Sequence, residues 1–228
     1  MIEVCMPVWK RTGRLQLMFS NFKKQTVQNF NINIWNNSGV PLNHIYEYFD
    51  KDRIKIFGDD KWSNQGSCAR FKLVPLVKGN TIIFLDDDID IYPDFIEYNV
   101  NEHIKFGKNS ILGWYSKIYR DRSNTKTANS HVHYGNEADY IGTGGMIMDR
   151  WIFDKEKSLQ NIPEDYIKVE DIYLSYIATM EYNMKLISID RKCEMQGDEH
   201  SQYKSLRHYK EYAFSKLCES GWDLIGAK

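Results

Sequence analysis

The residues best suited to chemistry in this chain are three adjacent carboxylates, Asp86, Asp87 and Asp88, which directly follow the apolar run Thr81-Ile82-Ile83-Phe84-Leu85. A short continuous apolar run reads as a strand buried on both faces. A buried strand therefore delivers clustered acid to its carboxyl end. Three neighbouring carboxylates repel one another and need solvent, backbone donors or a cation to take up their charge. Mg²⁺ and Mn²⁺ prefer oxygen ligands, and Mg²⁺ combines one or two protein carboxylates with substrate phosphates. Side chains alternate along an extended segment, so Asp86 and Asp88 form an Asp-x-Asp pair with Asp87 turned the other way. The same acid also suits a loop that caps the helix opened by Pro93-Asp94. The local sequence leaves both readings open.

A second group of chemical residues lies later. Glu170 and Asp171 open a helix whose apolar side is Ile172, Tyr173, Tyr176, Ile177 and Met180. Acid in a first helical turn is also an ordinary structural feature. His200 lies in the polar loop Asp198-Glu199-His200-Ser201. His131-x-His133 reads as an exposed pair or a weak metal site, and Trp9, Trp114 and Trp151 as core or as stacking surfaces. Asp59 and Asp60 lie in the loop after the third strand and suit either a ligand contact or a turn.

The elements that must position these groups alternate. Strands are expected at 2–6, 31–35, 53–57, 81–85, 110–115, 146–148 and 185–189, and helices at 12–22, 40–49, 65–77, 94–106, 168–180 and 201–218. Strands alternating with helices predict a mainly parallel sheet covered on both faces, because parallel strands need crossover connections. The predicted fold class is α/β. Ligands of such sheets bind beyond the carboxyl ends of the strands. Four loops, at 7–11, 36–39, 59–66 and 86–90, then converge on one crevice that contains the triple carboxylate. Residues 120–136 are polar and read as a long mobile loop, and Gly142, Gly144 and Gly145 mark a turn that allows close backbone approach to a ligand.

Composition narrows the class further. A chain of 228 residues is most simply one domain, spanning 1–228. Its net charge of −1 lacks the basic excess of a nucleic-acid partner, so none is expected. Four scattered cysteines, Cys5, Cys68, Cys193 and Cys218, show no disulfide or metal spacing and read as reduced, buried thiols. With no apolar run near ~20 residues and no signal-like start, a soluble, cytoplasmic chain, or the catalytic piece of a longer protein, is expected.

In order along the chain, several segments resemble the nucleotide-sugar-dependent glycosyltransferases of the GT-A fold. They are Val4-Cys5-Met6-Pro7-Val8-Trp9-Lys10-Arg11, Ile34-Trp35-Asn36-Asn37-Ser38-Gly39, Asn64-Gln65-Gly66-Ser67-Cys68-Ala69-Arg70, and Phe84-Leu85-Asp86-Asp87-Asp88-Ile89 with Tyr92-Pro93-Asp94. Gly144-Gly145-Met146-Ile147, Val169-Glu170-Asp171 and His200-Ser201 are similar to the later motifs of β-1,4-galactosyltransferase-like inverting enzymes. The tryptophan-rich glycine stretch of that family is replaced by Pro163-Glu164-Asp165-Tyr166, so donor and acceptor identity do not carry over.

The resemblance implies a nucleotide-binding half at 1–92, ending in Asp-x-Asp, and an acceptor and catalytic half at 93–228. It implies donor contacts from Pro7, Val8, Trp9, Arg11, Asn37, Asp59, Arg70, Asp86, Asp87, Gly144 and Gly145. It further implies a Mn²⁺ or Mg²⁺ ion on Asp88, Asp86 and His200, a base at Asp171, and Glu170 at the acceptor. The implied reaction moves a sugar from a nucleoside diphosphate sugar, a UDP-sugar first, to a glycan hydroxyl with inversion. Two rivals stand beside it. A sugar nucleotidyltransferase would need a glycine-rich triphosphate loop, where this chain has only Gly13. A non-catalytic carbohydrate- or Ca²⁺-binding module would bind without nucleotide.

Overall fold

The computed structural model describes residues 1–58, 64–122, 129–130, 132–202 and 205–227. Its centre is a seven-stranded sheet in the order β11-β6-β10-β4-β1-β2-β3. The strands are β1 (Ile2–Val8), β2 (Phe30–Asn36), β3 (Ile54–Phe57), β4 (Thr81–Phe84), β6 (Ser110–Gly113), β10 (Met146–Asp149) and β11 (Lys185–Ser188). All pairs are parallel except those of β10, which runs antiparallel to both β4 and β6. The expected α/β fold with a mostly parallel sheet is therefore what the chain adopts.

Helix α1 (Leu15–Lys23) and the longer α3 (Phe95–Phe106) cover one face, while α2 (Ala69–Leu73), α4 (Trp151–Lys155), α5 (Glu170–Met180) and α6 (Arg207–Glu219) pack on the other. Leu15, Met18, Phe19 and Phe22 form the buried stripe of α1, as the 3.6-residue period predicts. Phe19 meets Phe49, and Phe22 meets Phe30 and Phe49, with ring centroids 5.9–6.4 Å apart. Each such ring contributes roughly 1.5–3 kcal/mol of transfer free energy. All four cysteines are buried and free. No helix among the described residues is long and apolar enough to cross a membrane.

Pro7 lies inside β1 rather than closing it. The Cys5 carbonyl accepts from the Leu85 N–H at 3.2 Å, so Cys5 turns its polar groups toward β4. Pro7, two residues on, turns its missing donor to the same side, but the pairing with β4 ends at Cys5. The proline therefore sits where β1 and β4 part, at the mouth of the crevice.

Three expected helices are shorter than the apolar pattern suggests. Residues 40–49 hold only a 3₁₀ turn at Asn43–Glu47, since Pro41 precedes it and burying Leu42, Ile45 and Phe49 satisfies the core without a full helix. The segment 65–77 is divided into 3₁₀, α and 3₁₀ pieces, and Pro75 removes a helical donor. Arg207 rather than Ser201 opens the last helix, which leaves 198–202 free to form a turn. Thr12 begins a 3₁₀ turn and makes no side-chain cap to α1.

The polar stretch expected as a mobile loop is partly tied down. Strand β7 (Ser116–Ile118) pairs on one side with β8 (Asn129–Ser130) and on the other with β9 (Tyr140–Ile141). The Gly135 N–H donates to the Ser188 carbonyl at 2.8 Å. Residues 123–128 and His131 lie outside the described residues, and His133 is exposed. Strand β5 (Ile89–Ile91) follows the acidic cluster and pairs antiparallel with β12 (Cys193–Met195).

Candidate active site

A cleft of about 860 Å³ opens beyond the carboxyl ends of β1, β2 and β4. It brings together twelve of the residues singled out in the sequence: Pro7, Trp9, Arg11, Asn37, Arg70, Asp86, Asp87, Asp88, Gly144, Glu170, Asp171 and His200. Val8 does not reach it, because its side chain is fully buried against the core on the α1 side. Gly145 is set behind the wall, with its N–H donating to the Phe84 carbonyl at 2.9 Å. Asp59 and Asp60 lie outside the described residues.

The three carboxylates have separate tasks. Asp87 is buried; it accepts from the Trp9 N–H at 2.8 Å and from Arg11 Nη1 at 2.8 Å. Both of its oxygens are thus engaged in tying the loop after β1 to the loop after β4. Asp86 is the most open of the three and pairs with Arg70 Nη2 at 2.6 Å. Gly144 runs against it, so a Cβ there would come within 2.9 Å of Asp86 Oδ2. Asp88 is mostly buried, 3.4 Å from Arg11 Nη2. Burial and then the charge of Asp86 push its carboxyl up to about 6.

Asn37 has a structural role that its polar turn conceals. Its amide donates to the Gly66 carbonyl at 2.9 Å and its carbonyl accepts from the Gln65 N–H at 2.9 Å. It therefore holds the loop that precedes α2 in place at the cleft wall. That loop aims Ser67 and Arg70 inward.

Arg70 joins Asp86 to Glu170. Its Nη2 holds Asp86, and its Nε lies 3.3 Å from Glu170 Oε1, while Ser67 Oγ donates to Glu170 Oε2 at 2.5 Å. Nη1 of Arg70 is buried without a protein partner. A buried donor left without an acceptor costs free energy. Glu170 is buried too, and loss of solvation pushes its carboxyl up to about 7 against the opposing pull of Arg70. The folded protein thus holds this proton more tightly than the unfolded chain, where the value is about 4.5. Its contribution to stability is complete below about pH 4.5 and is lost as pH rises through about 7. The stability of the wild type relative to Glu170→Gln should therefore fall between pH 5 and pH 8, as read by urea unfolding across that range.

Asp171 lies in the first turn of α5, which delivers it to the cleft. Its Oδ1 accepts from the Ile172 N–H at 2.9 Å, and its Oδ2 accepts from the Tyr140 hydroxyl. Burial, foremost, keeps the Tyr140 hydroxyl well above the ordinary phenol range, so that group remains a donor. Asp171 is thereby fixed in orientation, with one bond to each oxygen.

Several residues in or beside the cleft carried no signal of their role in the sequence. Asp198 grips Arg11 through Nε at 2.6 Å and Nη2 at 2.7 Å, across 187 positions of chain. Tyr115 and Tyr140 come from the β7–β9 region, and Leu206, Tyr209 and Lys210 from the last helix and its approach. Only the topology brings them to one cleft. Trp114 is nearly buried and donates from Nε1 to the Gly144 carbonyl at 2.7 Å, which fixes the glycine turn.

The expected trio of Asp86, Asp88 and His200 is not assembled. Among the described residues no three His, Cys, Asp or Glu side chains are grouped to hold a metal ion. His200 instead sits beside Trp9, with ring centroids 6.4 Å apart, and its backbone N–H donates to Asp198. The remaining oxygen donors nevertheless suit a hard divalent cation. Four carboxylates, Asp86, Asp87, Asp88 and Asp198, face the two guanidiniums of Arg11 and Arg70, which leaves an excess of negative charge.

Comparison with known proteins places this geometry. The glycosyl transferase family 64 domain matches residues 2–218. The chain belongs to this family. The family 64 fold is shared with solved structures of S. aureus TarS at low sequence identity. TarS residues 1–349 in complex with UDP-GlcNAc align with a TM-score of 0.68 at 13% identity, covering 99% of this chain and 68% of that one. The same TarS fragment in complex with UDP gives 0.63 at 14%, covering 99% and 67%. A further TarS structure gives 0.61 at 12%, covering 96% of this chain and 42% of TarS, so this chain spans less than half of that protein. No curated protein matches.

Proposed function

We propose that this family 64 glycosyltransferase moves a sugar from a nucleoside diphosphate sugar, a UDP-sugar first, to a hydroxyl of a glycan acceptor. The observation that carries the reading is one cleft, at the carboxyl ends of parallel strands, lined together by Asp86, Asp88 and Asp171. The UDP and UDP-GlcNAc complexes of TarS support a uridine donor by likeness of fold.

In this reading Asp86 and Asp88 would hold Mn²⁺ or Mg²⁺ together with the donor diphosphate. The ion supplies Lewis-acid stabilisation of the departing phosphate when bound. Arg70 fixes Asp86. Gly144 lets the backbone approach the donor sugar where any side chain would meet Asp86. Asp171 takes the proton of the acceptor hydroxyl as its oxygen bonds to the anomeric carbon. The bond from that carbon to the diphosphate breaks, and the nucleoside diphosphate leaves with the electron pair. A single displacement of this kind inverts the anomeric centre.

Thermal unfolding with UDP, GDP, CDP, ADP and dTDP, each with Mn²⁺ and with chelator, tests the donor site. UDP with Mn²⁺ is expected to raise the midpoint, since a ligand at a hundredfold its dissociation constant adds about 2.7 kcal/mol to the native state. No response to any nucleotide would overturn the reading and favour a carbohydrate-binding module.

A further inference from the structure

The donor-side wall contains a clamp that the chemistry above does not use. Arg11 has a side chain only 8% exposed, and its donors are directed at protein carboxylates: Nη1 at Asp87, Nε and Nη2 at Asp198, with Nη2 also 3.4 Å from Asp88. It has little left to offer a nucleotide. The residues it joins belong to three separate loops, after β1, after β4 and after β12. Two further contacts run alongside it. The Gln196 N–H donates to the Asp88 carbonyl at 2.8 Å, and Asp198 Oδ1 also accepts the His200 N–H at 2.9 Å.

We infer that Arg11 and Asp198 act as positioning residues: the pair fixes Asp88 and the 196–202 segment as one wall of the cation and diphosphate site, and neither residue contacts the donor. The inference rests on the donor-site reading above. A bidentate guanidinium–carboxylate pair is directional as well as attractive, so it sets geometry in a way that a lone charge does not. A guanidinium fixed beside Asp88 also keeps its carboxylate oriented when Asp86 and Asp87, both acidic, are adjacent. Partners that orient a metal-binding carboxylate in this way are typically worth about 10–100-fold in metal affinity.

The test uses the full chain, with Mn²⁺ and UDP as probes and three measurements on each variant: the thermal midpoint, UDP affinity in chelator, and the Mn²⁺ concentration that half-saturates UDP binding, followed by the loss of the free Mn²⁺ resonance signal. Asp198→Asn removes the charge and one acceptor from an accessible turn and leaves the buried Asp87 pair intact. It is expected to raise the half-saturating Mn²⁺ concentration about tenfold, with UDP affinity in chelator unchanged. Arg11→Lys should not restore the wild-type value, because an ammonium cannot bridge three carboxylates in fixed directions. Adding Asp198→Asn to Arg11→Lys should cost little more than either alone, since both break one clamp. Wild-type protein that does not bind UDP would remove the donor site itself. UDP binding with a wild-type Mn²⁺ requirement in Asp198→Asn would overturn the positioning role while leaving the donor site standing. A drop in chelator-only UDP affinity would also overturn it, because that places the clamp in direct contact with the nucleotide.

Discussion

Asp171→Asn should retain nucleotide binding and lose glycosyl transfer by about 10²–10⁴-fold, the range over which a positioned general base accelerates proton transfer. Asparagine is close in shape, and its carbonyl can still accept from Tyr140 or from the Ile172 N–H, so the first turn of α5 keeps its form. What is lost is the basic oxygen. Unchanged UDP stabilisation with transfer near background would place the defect in the chemical step. Transfer close to wild type would move the base elsewhere in the cleft. The same enzyme preparation decides stereochemistry: a base at Asp171 commits the reaction to a single displacement, and the anomeric configuration of the product must then be inverted. A retained configuration would remove Asp171 from that role and leave the donor wall untouched.

How far this site could be read from the sequence depended on whether a residue's task is local. The strand into Asp86 was legible because a continuous apolar run ending in acid has few other readings, and β4 and its acidic loop lie where expected. Glu170 and Asp171 were legible as a first helical turn from the apolar period after them, and α5 begins at Glu170. Tertiary tasks were hidden. Nothing around Asp198 distinguishes the partner of Arg11 from a turn residue, because the signal is a contact across 187 positions. Asp87 and Asn37 look like ligand-binding polar residues in sequence, yet both are engaged in holding loops. Val8 looked like part of the first loop because Pro7 seemed to end the strand, and it is core because the proline's missing donor faces a place where β4 has already ended. Helix 40–49 failed for a related reason: three inward apolar residues at helical spacing are also satisfied by a short 3₁₀ turn.

Arg70→Met should have the largest effect on stability, and its size should depend on pH. Arg70 and Glu170 are both almost fully buried, and Arg70 is the cation that Asp86 and Glu170 share. Removing one partner of a buried pair typically costs about 3–5 kcal/mol, because the other charge is left without compensation. Glu170 can escape by taking up a proton. Arg70 holds its carboxyl below where burial alone would set it, so without Arg70 the protonated form is favoured over a wider pH range. The loss in Arg70→Met, measured by urea unfolding, should therefore be near its full value at pH 8 and distinctly smaller at pH 5, where little free energy is needed to protonate the carboxyl. Adding Glu170→Gln removes the orphaned charge and should recover much of the loss at pH 8. It should not recover nucleotide binding, because Asp86 still lacks the guanidinium that fixes it. Additive losses in the double variant would show that the two residues stabilise the fold independently. Recovery of stability without recovery of binding would separate the two tasks of Arg70: compensating a buried acid beneath the acceptor side and presenting a carboxylate to the donor side.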